Sequence, residues 1–203
     1  MARPVIGSAA RPRYRYVVAF YDRIYRFVHG LDDSASVGPA LCVKIRRCRR
    51  PRTLPDGTVL QAGDRIGILH LNNDRVTAIH LDGGTPMAVG LEFRRLLMLS
   101  LRTLAARAAD GGPLAEVRAF EAVTIFHQAL QRLGFVPAPR GPAWPRLVGA
   151  YQRALLASLH PDGLGRLHRS SYARSRRLWL TRQTLLSRYG AGPATVNRAA
   201  GAA

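Results

Sequence analysis

The stretch Leu54-Pro-Asp-Gly-Thr-Val-Leu-Gln-Ala-Gly-Asp64, continued by Arg65-Ile-Gly-Ile-Leu-His-Leu-Asn-Asn73, decides how the chain is read. Pro55-Asp56-Gly57 carries turn chemistry with a mechanism: proline presets φ, aspartate bonds its own backbone, and glycine accepts positive φ. Val59 and Leu60 lead to a second turn at Ala62-Gly63-Asp64. Arg65 to Leu71 is then a short apolar run closed at both ends by turn residues, which is a strand signature.

Working outward, Leu41, Val43 and Ile45 alternate with Cys42, Lys44 and Arg46, so this run also reads as a strand. Asn72-Asn73-Asp74 turns the chain, and Val76 to Leu81 reads as a further strand ending at Asp82-Gly83-Gly84. Val117 to Thr124 and Arg177 to Leu180 are expected to extend the sheet. Helical spacing of apolar residues predicts helices over 14–30, 87–108 and 144–159. A short helical piece to Leu133 is closed by Gly134, and Thr181 is suited to N-cap a short helix ending at Gly190. The expectation is one α+β domain over residues 14–190, with a small, mostly antiparallel sheet covered by three main helices. Residues 1–13 read as a flexible arm and 191–203 as a disordered tail.

Composition limits the function classes. The 203 residues are 47% hydrophobic, enough for one ordinary core. The formal net charge is +19, and Lys44 is the only lysine, so arginine supplies nearly all of the positive charge. Such a balance favours an anionic partner: lipid, an acidic polymer or nucleic acid. Arginine, alanine, glycine and proline share GC-rich codons, which accounts for part of the charge and weakens the nucleic-acid reading. Cys42 and Cys48 lie in one extended run, about 20 Å apart if fully extended, too far for a disulfide. Free thiols fit a reducing compartment. No uncharged apolar run is long enough to span a bilayer, and the first residues lack a signal-peptide core. The cytoplasm is therefore the expected location, with peripheral association at the inner membrane face as a variant.

The turn-and-strand stretch resembles the YkoP-like domain family, whose pattern here is a glycine turn, a Gly-Asp pair and Leu-His-Leu followed by Asn. Arg132-Leu133-Gly134-Phe135 is similar to a later family motif. Trp179-Leu180-Thr181-Arg182, with Leu185, Leu186, Arg188, Tyr189 and Gly190, is similar to the closing one. The resemblance spans residues 15 to 190. It implies a family without an assigned activity, which occurs alone or fused to polysaccharide deacetylases, and hence a link to the metabolism of bacterial cell-envelope polysaccharide. The deacetylase machinery itself is missing. No two of His29, His70, His80, His127, His160 and His168 form the H-x-x-x-H that places two imidazoles on one helix face. Asp32-Asp33 imitates the carboxylate pair without partners.

Three constellations remain. Asp64, His70, Asn72, His80 and Asp82 would converge if the strands flanking Asn72-Asn73-Asp74 paired as a hairpin, the minimum for a metal site or an acid–base pair in a hydrolase. The plainer reading is turn chemistry beside a half-buried histidine. Arg13, Arg15, Arg23 and Arg26 flank Phe20, Tyr21 and Ile24 on the first predicted helix, a basic amphipathic face suited either to an anionic membrane or to packing on the sheet. Arg174, Arg176 and Arg177, with Tyr172 and Trp179, could grip phosphates, or could form a basic loop anchored by Trp179. No nucleophile elbow, dinucleotide fingerprint or phosphate loop occurs. The sequence therefore leans towards a non-catalytic accessory or binding domain with no assigned cofactor.

Overall fold

The computed structural model describes residues 35–72, 79, 85–139 and 175–190. The sheet runs through β1 (Ala35–Val37), β2 (Leu41–Arg47), β5 (Arg65–Leu71), β6 (Val117–Thr124), β8 (Arg176–Thr181) and β7 (Val136–Pro137), in that spatial order. A separate hairpin pairs β3 (Arg52–Thr53) with β4 (Val59–Leu60). Three helices complete the described architecture: α1 (Pro86–Ala109), α2 (His127–Arg132) and α3 (Arg182–Tyr189). The described residues form a single α+β domain, and its sheet is antiparallel except for the β5–β6 pair.

The turns follow from their residues. Gly57 and Gly63 have φ of 87° and 94°, in the left-handed region that side chains other than glycine rarely enter. Asp56 Oδ1 accepts the Thr58 N–H at 3.1 Å, as an Asx turn does. Alternation then sends Leu41, Val43, Leu69, Phe120, Ala122, Leu178 and Leu180 to one face, where they share a core with Leu97, Leu101 and Leu104 of α1 and Leu185 of α3. Gly67 lies beneath Phe120. A Cβ there would stand 2.5 Å from the ring carbon Cδ1, so only glycine leaves room for the aromatic ring.

Helix α1 begins at Thr85, whose hydroxyl accepts the Ala88 N–H at 3.3 Å, with Pro86 in the first turn. Ser100 sits at the point of closest approach to the β1–β2 turn. Its Oγ donates to Leu96 O and accepts the buried Ala40 N–H, both at 2.9 Å. Thr181 caps α3 by accepting the Thr184 N–H at 3.3 Å. Arg118 is the extra residue of a β-bulge: Arg65 pairs with Val117, while Ile66 pairs with Ala119.

The second face of the sheet is partly roofed by the β3–β4 hairpin. Cys48, Leu54 and Leu60 pack there with Ile66, Ala119 and Trp179 in a smaller core. Both cysteines are free.

One expected element requires correction. Ile79, the described residue within 76–81, is helical and buried against Ala40, Val89 and Leu96. Strand β5 is paired on one side by β2 and on the other by β6, so no edge remains for a hairpin with 76–81. The expected helices over 14–30 and 144–159, the arm over 1–13 and the tail over 191–203 lie outside the described residues.

Candidate functional site

The second sheet face has a charged centre. Glu121 lies mid-strand in β6, directly opposite Trp179 of β8 and beside Ile68 of β5. Its side chain is 13% exposed. Arg177 lies diagonally across the same strand pair, where long side chains reach each other, and its Nε is 2.9 Å from Glu121 Oε1. The contact is an ion pair without hydrogen-bond alignment at that nitrogen. From the small hairpin, Arg52 extends over the Trp179 ring, with the guanidinium carbon 5.6 Å from the ring centroid. A guanidinium over an indole face is an attractive cation–π arrangement. Arg52 Nε has no hydrogen-bond partner and is shielded from water.

Burial pushes the Glu121 carboxyl above its ordinary range, opposed by the positive charges of Arg177, Arg52 and Arg46 in that order. The mostly buried carboxylate is thus paired with Arg177, and the charges of Arg52 and Arg46 act on it as well. With Glu121 paired to Arg177, the Arg52 guanidinium on the tight hairpin adds positive charge to this face, which suits a carboxylate or phosphate group from outside the chain.

Near the far end of β6, His127 at the start of α2 is buried, and its imidazole is pushed down. Burial is the main cause and Arg176 adds to it, against the backbone of Ile125. This depressed imidazole is separate from the Glu121 group in the strand register.

The residues singled out from sequence are scattered by comparison. Asp64 precedes β5, and its Oδ2 accepts the Gln61 N–H at 2.7 Å and lies 3.4 Å from Arg118 Nη1. That is turn chemistry. His70 is six residues further along β5, a distance of about 20 Å for an extended strand, so Asp64 and His70 do not converge. His70 instead pairs across the sheet with Cys42. The Asn72 N–H donates to Ala40 O at 2.9 Å and ends the strand. His80, Asp82, Arg13, Arg15, Arg23, Arg26 and Arg174 lie outside the described residues. The described residues hold no group of three His, Cys, Asp or Glu able to take a metal ion. Arg176 is exposed, whereas Arg177 turns to Glu121.

The sequence signal for this centre was present but subtle. Glu121 is a lone acid in β6, between the apolar Phe120 and Ala122, and Arg177 is its counterpart in a strand of mostly buried residues. A charge inside a strand that is buried on both sides requires a partner.

The family model of the YkoP domain matches residues 13–189. The chain belongs to the YkoP family. No curated protein and no solved structure matches it. Within this YkoP domain the residues that carried the resemblance have structural roles. Gly67 admits Phe120, Thr181 caps a helix, and the Tyr189 hydroxyl donates to the Leu133 carbonyl. The YkoP fold thus explains its own motifs largely by packing, and the charged centre stands beside them. None of the described helices is long and apolar enough to cross a membrane.

Proposed function

We propose that this YkoP protein is a non-catalytic accessory or binding domain connected with cell-envelope polysaccharide metabolism, and that the sheet face around Glu121 receives an anionic group of its ligand. The observation that carries the reading is Arg177 at 2.9 Å from the desolvated Glu121 carboxylate, with Arg52 held over the ring of Trp179, the residue directly opposite Glu121. Arginine forks match carboxylate and phosphate oxygens and remain charged at every physiological pH. Resting on the Trp179 ring, the Arg52 guanidinium is held in place over this face of the sheet. The polysaccharide link comes from the family resemblance, and acidic envelope polymers carry the groups that arginines bind.

The test is calorimetric titration of the full chain with an oligosaccharide of uronic acids, and separately with inorganic phosphate. Saturable binding to either, weakened at least about tenfold by Arg52→Ala, supports the reading. No heat with either ligand, or unchanged affinity in Arg52→Ala, overturns it. Elemental analysis of the purified protein separates the competing class: stoichiometric zinc, iron or manganese would favour a metal-dependent hydrolase.

A further inference from the structure

Four large apolar side chains stand exposed among the described residues, and three of them belong to α1: Met87 is 75% exposed, Leu91 59% and Leu99 44%. They are not scattered. Met87, Leu91, Arg95 and Leu99 follow one another at four-residue steps, with Arg102 continuing the same side, so they form one stripe along the helix. The stripe is about 22 Å long from Met87 to Arg102 at 1.5 Å per residue. The opposite side of α1, through Leu97, Leu101, Leu104 and Ala108, is occupied by the sheet core. The core therefore accounts for one side of this helix and leaves the Met–Leu stripe unexplained.

The charges on the stripe indicate what covers it. From Pro86 to Ala109 the helix carries four arginines and a single acid, Glu92. Glu92 is taken by Arg95, with both carboxylate oxygens 2.8 Å from guanidinium nitrogens. Arg107 donates to Ser36 O at 2.7 Å, which leaves Arg94 and Arg102 as exposed cations beside the apolar stripe. A second copy laid on this stripe by two-fold symmetry would bring arginines against arginines. Nucleic acid would leave methionine and leucine without a role, and the stripe offers no aromatic on which a base could stack. An anionic bilayer uses both features: apolar side chains enter the acyl boundary while arginines reach lipid phosphates along their alkyl stems.

We propose that the exposed stripe of α1, formed by Met87, Leu91 and Leu99 with Arg94 and Arg102, docks this protein onto an anionic lipid surface. The proposal is independent of the ligand reading at Glu121, because that group lies on the opposite face of the sheet.

The experiment is flotation of the full chain at low salt with two vesicle populations, phosphatidylcholine alone and phosphatidylcholine mixed equally with phosphatidylglycerol. The expected result is co-flotation with the mixed vesicles only, reduced at least about tenfold in Met87→Gln/Leu91→Gln, since both side chains would lose apolar burial. Arg94→Gln/Arg102→Gln is expected to reduce it similarly and leaves the apolar stripe intact. Thermal unfolding is measured for each variant, so that a folding defect is recognised. No co-flotation with mixed vesicles, equal co-flotation with both populations, or co-flotation unchanged in folded variants of both kinds would overturn the proposal. The last of these would place the contact elsewhere on this basic chain. Capture by an acidic protein without vesicle binding would likewise reassign the stripe.

Discussion

The hydroxyl of Tyr189 donates to the carbonyl oxygen of Leu133 at 2.8 Å, across 56 residues of sequence. The bond joins the two motifs by which the carboxy-terminal half resembles its family. A further contact beside it tightens the junction: a Cβ on Gly134, whose φ is 93°, would stand 2.9 Å from Arg188 Cδ. Tyr189→Phe removes the donor and leaves a buried carbonyl unsatisfied, at a cost of about 1–3 kcal/mol. Denaturant unfolding should show a lower midpoint with an unchanged slope.

Gly67→Ala places a methyl group against Phe120, where a Cβ would lie 2.5 Å from ring carbon Cδ1 and 3.1 Å from Val43 Cγ2. Overpacking of this kind costs about 1–3 kcal/mol. A lower thermal midpoint is expected, and Gly67→Ala combined with Phe120→Leu should recover part of it. Failure of the second change to recover anything would mean that the backbone, rather than the ring, rejects the methyl.

The Glu121 carboxyl is held above its usual value near 4.5, chiefly by burial. The folded chain therefore keeps its proton in a pH range where the unfolded chain has lost it. By linkage, the stability owed to this group is greatest below the unfolded value and declines as pH rises towards the folded one. Glu121→Gln should remove that decline. Unfolding free energies measured across this range should diverge between wild type and variant, with the wild type losing ground as pH rises.

His127 has the opposite sign. Its imidazole is held below the usual value of 6.5, so the folded chain excludes a proton that the unfolded chain accepts. Its contribution is complete above 6.5 and is lost as pH falls towards the folded value. In His127→Gln, the acid-side loss should be smaller than in the wild type by the same unfolding measurement.

Much of the fold could be read from local chemistry. Pro55-Asp56-Gly57 and Ala62-Gly63-Asp64 turn where their residues require it, and β5, β6, α1 and the Thr181 cap form where alternation, helical spacing and capping place them. What alternation cannot supply is the neighbour of a strand. β6 pairs in parallel with β5 after the long α1 crossover, and this filled the edge on which 76–81 was expected to lie. The histidine site depended on that hairpin, so Asp64 and His70 remained at opposite ends of one strand. Glu121 and Arg177 were harder to see, because their meeting is set by cross-strand register between segments far apart in sequence.

The short strands at the two margins of the sheet have a consequence for association. β1 has three residues and β7 two, one of them Pro137, which has no amide hydrogen to offer. Among the described residues, these two strands themselves offer few backbone groups to a visiting peptide in extended form, which disfavours strand addition on β1 and β7.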